Sequence, residues 1–103
     1  MFVLAINNIA LQQIPEEKVL RKLSQQVGNC AMQLGIELGL RIVEIEQTLF
    51  KYPKNIYSQT FDILKKWKDI PEINSTIRML MNAMQAIDTR GLQFLEDEYA
   101  QLC

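Results

Sequence analysis

The segment LGIELGLRIVEIEQ, residues 34–47, constrains the fold more than any other part of the chain. Its apolar residues recur at helical spacing, two Leu-Gly pairs interrupt them, and it contains no His, Cys, Ser or Asp. Gly39 can adopt the left-handed backbone conformation that other residues avoid. We therefore expect two short helices that meet at a tight corner at Gly39.

A first helix is predicted just before this segment. Pro15 followed by Glu16 and Glu17 suits a helix start. The first backbone N–H groups of a helix have no partner within it, so proline, which lacks an N–H, loses no hydrogen bond there. The carboxylates are favoured at the positive end of the helix dipole. Gly28 is expected to end the helix. The apolar face comprises Val19, Leu20, Leu23 and Val27.

The two helices of the corner follow. Asn29 is expected to cap the second helix, which Gly39 ends. Its inner residues are Ala31, Leu34 and Leu38. The third helix carries Ile42, Ile45 and Leu49 as its apolar residues.

Three more helices are predicted after the loop that contains Pro53. Asn55 can cap the fourth, and its wide apolar face comprises Ile56, Thr60, Ile63 and Trp67, flanked by Tyr57, Phe61 and Leu64. The fifth, capped by Asn74 or Ser75, carries Ile77, Leu80, Met81, Met84 and Ile87. The sixth begins at Asp88 and aligns Leu92, Leu95, Tyr99 and Leu102.

No run of residues alternates with a period of two between hairpin turns, so we expect no sheet. The predicted fold is an all-α bundle of six short helices. A chain of 103 residues suits one domain with a single core. We assign this domain to residues 14–103 and treat residues 1–13 as an apolar N-terminal segment or extra helix.

Enzyme chemistry finds little support in the residues. The chain has no His, and no nucleophile elbow, phosphate-binding loop, zinc-protease or EF-hand spacing is present. Glu44 and Glu46 are two residues apart and therefore do not face each other on a helix. Cys30 and Cys103 form neither a disulfide framework nor a zinc pattern, so we expect reduced thiols in an intracellular protein, with Cys30 in the core.

The charge pattern carries more information than the net charge of −1. Basic residues end the fourth helix and occupy the first, at Lys65, Lys66, Lys68, Arg21 and Lys22, whereas Glu37, Glu44 and Glu46 lie around the second and third helices. If the first and fourth helices are neighbours, one side of the domain is basic and another is acidic. Such surfaces allow head-to-tail association of similar domains, although solvated surface is the simpler interpretation.

These residues resemble the death-domain pattern, in which a helix ending in Leu-Gly-Leu precedes helices with an inward Ile and an inward Trp. The residues that carry the resemblance are Leu34, Leu38, Gly39, Leu40, Ile45, Pro53, Trp67 and the Leu80 to Met84 spacing. The stretch YPKNIYSQTFDILKKW is most similar to the death domains of caspase-recruiting adaptors and ankyrins.

The chain also departs from the family pattern. Ala31 stands where many death domains have Trp, and Arg41 stands where Ser or Thr often opens the third helix. Because Ala31 and Gly35 are small, we expect a side chain from the N-terminal stretch, Phe2, Val3 or Ile6, to fill the space beside them.

The resemblance implies an antiparallel six-helix bundle that acts in the cytoplasm and binds other death-domain proteins, with a second copy of this chain as one candidate partner, without catalysis or cofactor. It also implies no nucleic-acid partner, no small-molecule substrate and no membrane insertion. It places Arg21, Lys22, Lys65, Lys66 and Lys68 on one binding surface, Glu37, Glu44 and Glu46 on a second, and Lys51, Tyr52 and Lys54 on a third. The expected function is to scaffold a signalling complex in cell death or innate immunity. The alternatives are an ankyrin-like death domain in a membrane-skeleton scaffold and a small helical nucleic-acid binder.

Overall fold

The computed structural model describes residues 8–71 and 75–99, in which every regular element is a helix. The helices are α1 (Asn8–Leu11), α2 (Glu17–Gln26), α3 (Ala31–Glu37), α4 (Ile42–Lys51), α5 (Ile56–Lys68), α6 (Ile77–Ile87) and α7 (Thr89–Tyr99). Helices α2 to α7 are the six predicted from the sequence, and the all-α bundle is confirmed. The single-turn helix α1 falls within residues 1–13 and contacts α6. The division of the chain at residue 14 stays a prediction.

Helix α5 lies at the centre of the bundle, where it packs against α2, α3 and α4. Its residues Ile63, Leu64 and Trp67 are completely buried. Helix α6 packs against α3 and α7, and α7 returns to contact α2. The predicted burial of Trp67 is therefore confirmed, and its indole is part of the core.

The corner after α3 forms as the Leu-Gly-Leu sequence predicts. Gly39 has φ +84° and is the one residue with positive φ in the described part of the chain. The Leu40 N–H donates to the Gly35 carbonyl at 2.9 Å, and the Gly39 N–H donates to the Ile36 carbonyl at 3.1 Å. These two bonds form a Schellman motif, which satisfies the last carbonyls of α3. Leu38 and Leu40 are both buried, so the corner fixes α3 and α4 against the same core.

Gly35 makes room for α4. A Cβ atom at this position would lie 2.7 Å from Cγ1 and 2.8 Å from Cδ1 of Ile45, closer than two non-bonded carbon atoms normally lie. The space beside Gly35 is thus occupied by Ile45, which is 1% exposed. The prediction that Phe2, Val3 or Ile6 packs beside Ala31 and Gly35 concerns residues that lie outside the described part of the chain.

Three helix boundaries differ from the predictions. Helix α2 ends at Gln26, two residues before Gly28, because the backbone of Val27 is already extended. Gly28 therefore does not end the helix by a left-handed turn. Cys30, not Asn29, is the N-cap of α3. Thr76, not Ser75, caps α6 by accepting the Met79 N–H at 3.3 Å, and Asn74 lies outside the described residues.

The predicted cap at Asn55 and the predicted helix start at Asp88 are confirmed. The Asn55 side chain accepts the Ser58 N–H at 2.9 Å at the start of α5. The Asp88 carboxylate accepts the Arg90 N–H at 2.9 Å at the start of α7.

Two predicted inward residues are on the surface instead. Ile42 is 57% exposed and Ile56 is 44% exposed. Ile42 precedes the buried Thr48 by six residues, which on an α-helix rotates its side chain by about 120° away from that of Thr48. Leu102, predicted on the inner side of the last helix, lies outside the described residues.

Candidate protein-binding surfaces

Helices α2 and α5 are neighbours, which was the condition for a basic side of the domain. The guanidinium carbon of Arg21 lies 4.6 Å from the centroid of the Phe61 ring, and the Lys65 ammonium lies 6.0 Å from the same centroid. Both distances are short enough for attraction between a cation and the ring face. Lys68 follows Lys65 by three residues and lies on the same side of α5. We call Arg21, Lys65 and Lys68 the basic surface.

The basic surface is held in place by an aromatic pair and one carboxylate. Tyr57 stacks on Phe61 with ring centroids 6.1 Å apart. Glu17 lies 3.5 Å from the Arg21 guanidinium and 3.3 Å from the Lys65 ammonium, so it bridges the two helices. These pairs are exposed and each contributes little to stability, but together they fix the directions of the two cations.

Lys66 reaches a different neighbour from Lys65, because its side chain extends to α4 and that of Lys65 extends to Glu17 on α2. The Lys66 ammonium donates to the Glu44 carbonyl at 2.9 Å and to the Thr48 hydroxyl at 2.7 Å, and it lies 3.5 Å from the Asp62 carboxylate. The Thr48 hydroxyl in turn donates to Asp62. The structure therefore separates Lys66 from the basic surface and places it in a polar network that joins α4 to α5.

Lys22 also turns away from the basic surface. Its ammonium lies 3.8 Å from the Glu98 carboxylate, which joins α2 to α7. Of the predicted basic residues, Lys66 thus contacts α4 and Lys22 contacts α7, whereas Arg21 and Lys65 share Glu17.

The predicted acidic residues are spread over α3 and α4, which pack together. Glu37 is exposed and accepts a hydrogen bond from Gln33 at 3.4 Å, and Glu46 is exposed on α4. Glu44 instead forms a capping box, accepting from the Arg41 N–H at 3.3 Å and from Arg41 Nε at 3.2 Å. These hydrogen bonds from Arg41 lower the pKa of the Glu44 carboxyl group. We call the remaining pair, Glu37 and Glu46, the acidic surface.

The third predicted surface is the loop between α4 and α5. The Lys51 ammonium lies 5.4 Å from the centroid of the Tyr52 ring. The Gln59 side chain donates to the Tyr52 carbonyl at 2.7 Å and so attaches the loop to α5. Lys51 and Lys54 are exposed, which leaves two cations at this end of the domain.

The sequence interpretation missed a set of exposed apolar residues. Phe50 is 89% exposed, and Val43, seven residues earlier on α4, is 50% exposed. Met32 and Ile36 on α3 are also close to half exposed. The spacing of Val43 and Phe50 was the available signal, because positions seven apart share one side of a helix and Ile45 and Thr48 already define the buried side.

The Cys30 thiol is half-buried and packs against the core. Burial raises its pKa, as does the Asp88 carboxylate, whereas Arg90 lowers it. The thiol therefore stays protonated at neutral pH, unlike an activated nucleophile.

Within residues 8–71 and 75–99, no group of three or more His, Cys, Asp or Glu side chains could hold a metal ion. No described helix has the length and hydropathy to cross a bilayer.

Comparison with known proteins gives one informative relative. No family model matches the chain. The FAS-associated death domain protein of Bos taurus is 31% identical over 88 residues, which cover 82% of this chain. The chain spans 42% of the length of that relative, so the similarity concerns one part of a longer protein. Together with the six helices, the Leu-Gly-Leu corner and the buried tryptophan, this similarity shows that the chain belongs to the death-domain family.

Proposed function

We propose that this chain is a non-catalytic interaction module that binds other death domains, including copies of itself, and scaffolds a signalling complex in cell death or innate immunity. The relative's name describes a FAS-associated protein, which supports a role of this kind. The module would act in the cytoplasm and would need neither a cofactor nor a small-molecule substrate.

The observation that carries the proposal is the separation of charge between two pairs of helices. The basic surface lies on α2 and α5, whereas the acidic surface lies on α3 and α4. One molecule cannot join its own two surfaces, because both belong to the same packed bundle. Two molecules can join them, and the contact leaves a free surface of each kind at the ends of the pair. Lys51, Tyr52 and Lys54 would supply a third contact.

Charged, exposed contacts of this kind are individually weak. Each ion pair at a solvated surface contributes about 0–1 kcal/mol. At 0.1 M salt the screening length is about 10 Å, so exposed charges farther apart than this hardly attract each other. We therefore expect modest affinity per contact and assembly that depends on several contacts together.

Charge reversal tests the proposal. Lys65→Glu and Glu46→Lys should each weaken binding to a second copy and to the death domain of the bovine relative, measured by biolayer interferometry at physiological salt. Arg78→Glu is the matched control, since Arg78 is exposed on α6, away from both surfaces. The proposal fails if neither reversal changes binding to either partner, or if Arg78→Glu weakens binding equally.

The same experiment separates the alternatives. A chain that never binds its own copy but binds another death domain would fit the ankyrin-like scaffold.

Nucleic-acid binding is disfavoured because Trp67 is buried and cannot stack on bases, and because Glu17 lies between the cations of the basic surface. A mobility shift with single-stranded DNA at physiological salt would contradict this conclusion.

A further inference from the structure

The most exposed large apolar residue of the described chain is Phe50, the penultimate residue of α4. Its side chain is 89% exposed, so the ring protrudes from the domain and does not line a groove. Lys51 and Lys54 follow it directly, and both are exposed as well. A phenylalanine ring in water is unfavourable, so a contact that covers it is favoured. We call Phe50, Lys51 and Lys54 the α4 tip.

The α4 tip is positively charged. Residues 47–61 contain Lys51 and Lys54 as their charged side chains and include no Asp or Glu. Among the described residues, neither lysine takes part in an ion pair. Asp62, the next acidic residue along α5, lies 3.5 Å from the Lys66 ammonium. The tip therefore presents two positive charges that no carboxylate within ion-pair distance balances.

The surface beside the tip adds no negative charge. A hollow of about 550 Å³ lies between the loop and the start of α3, and all of its lining residues are uncharged. They include Pro53 from the loop and Met32 from α3, which is 52% exposed. This side of the domain therefore contains nothing that repels an anionic partner.

A protruding ring beside two unbalanced cations suits an anionic lipid surface. Aromatic side chains are favoured at the level of the lipid headgroups, and each lysine near the surface adds attraction to anionic lipids. A protein partner would need a pocket for the ring, whereas a bilayer accepts a protruding side chain without one. We propose that the α4 tip rests on anionic membrane surfaces, with Phe50 among the headgroups and both lysines beside the anionic groups.

Charge selects the orientation of this contact. Val43 is also exposed and lies on the same side of α4, about 10 Å further from the tip. A side-on approach that covered both Val43 and Phe50 would bring the exposed Glu46, which lies between them, against the anionic lipids. The domain therefore approaches with the end of α4 first, and Val43 stays in water.

The contact of one domain with a membrane should be weak and reversible. Even a single myristoyl chain binds a membrane only marginally, and one ring offers less apolar area. The inference goes beyond the proposed function and does not rest on it, because neither Lys65 nor Glu46 contacts the lipid. It gives Lys51 and Lys54 a partner other than a death domain, so the two proposals can fail separately.

Sedimentation with vesicles of phosphatidylserine and phosphatidylcholine tests the inference. The bound fraction at increasing lipid concentration gives a partition coefficient. Phe50→Ala should lower this coefficient about tenfold, and Lys51→Gln and Lys54→Gln should each lower it about fivefold. Val43→Ala and Lys65→Gln are the matched controls and should leave it unchanged. Vesicles of phosphatidylcholine alone should bind the wild-type chain at least about tenfold less.

Three outcomes of this experiment would overturn the inference. The first is a wild-type chain that does not sediment with the phosphatidylserine vesicles. The second is an equal loss in Lys65→Gln, which would assign the binding to the basic surface. The third is unchanged vesicle binding of Phe50→Ala, and if this variant also lost binding to the death domain of the bovine relative, the α4 tip would be a protein contact.

Tryptophan fluorescence tests the position of Phe50 directly. In Phe50→Trp the new indole should emit at shorter wavelength when phosphatidylserine vesicles are added, and brominated acyl chains should quench it. Val43→Trp, also at an exposed position, should show neither effect. Trp67 is completely buried, so its emission is a constant background. An unchanged spectrum of Phe50→Trp, or an equal change in Val43→Trp, would overturn the inference.

Discussion

At the scale of single residues, two adjacent lysines have different roles. Lys65 lies on the basic surface, whereas the Lys66 ammonium makes hydrogen bonds to α4. Successive residues on a helix are turned by about 100°, so the sequence KKW shows that the lysines diverge but not which one meets a neighbour. That choice depends on where α4 lies, which the Gly39 corner and the close approach of Gly35 to Ile45 decide. The sequence therefore predicted Lys66 as a surface residue.

Replacing Lys66 should reduce stability. Lys66→Met keeps the aliphatic part of the side chain but removes the donor to the Thr48 hydroxyl and the Glu44 carbonyl. Loss of a partly buried charged donor should lower the free energy of unfolding by about 1–3 kcal/mol. Urea denaturation measures this change, and the slope of the unfolding free energy against urea concentration should stay the same. Lys68→Met, the matched control, should change it by less than about 0.5 kcal/mol. If Lys66→Met keeps full stability but loses binding, Lys66 is a contact residue and the network has no structural role.

At the scale of helices, residues with a strong local preference gave the correct boundaries. Asn55 and Asp88 cap their helices because their side chains accept backbone N–H groups three and two residues later, and Gly39 takes the left-handed conformation because it has no Cβ atom. Boundaries that depend on tertiary packing were shifted by one or two residues. Val27, for example, ends α2 early and buries its side chain in the core.

The start of α7 couples a cap to a contact between helices. Besides capping α7, Asp88 accepts from Arg90 Nε at 3.3 Å and from the Gly28 N–H after α2 at 3.4 Å. The hydrogen bond from the Arg90 side chain is the largest cause that lowers the pKa of Asp88, and burial partly opposes it. Asp88 thus anchors the end of the bundle where α2 and α7 meet.

Removal of this carboxylate should have a pH-dependent cost. A lowered pKa in the folded state means that the ionised carboxylate stabilises the fold above its unfolded pKa of about 4, and that this contribution disappears as the pH falls through the folded value. Asp88→Ala should therefore lower the free energy of unfolding by about 0.5–2 kcal/mol at pH 7. The difference from wild type should shrink below pH about 4. Asp97→Ala, exposed on the same helix, is the control, and a pH-independent difference for Asp88→Ala would contradict the assignment.

At the scale of the whole molecule, a chain with net charge −1 carries separate basic and acidic surfaces. The net charge by itself gives no overall bias toward nucleic acids or anionic membranes, and it cannot reveal this separation. The sequence indicated it because the periodicity placed the charges on particular helices, and the contact between α2 and α5 supports it. The exposed Phe50 was not predicted, because an apolar residue on a helix is expected to face the core.

The most direct test of head-to-tail association is light scattering on a sizing column with Lys65→Glu and Glu46→Lys, alone and mixed, at low and physiological salt. We predict that each variant alone is smaller than the wild-type chain at equal concentration, because each has lost one of two complementary surfaces. The mixture should regain association, since one variant keeps the basic surface and the other keeps the acidic surface, and added salt should suppress it. A wild-type chain that stays monomeric at both salt concentrations, or a mixture no larger than its components, would contradict the account.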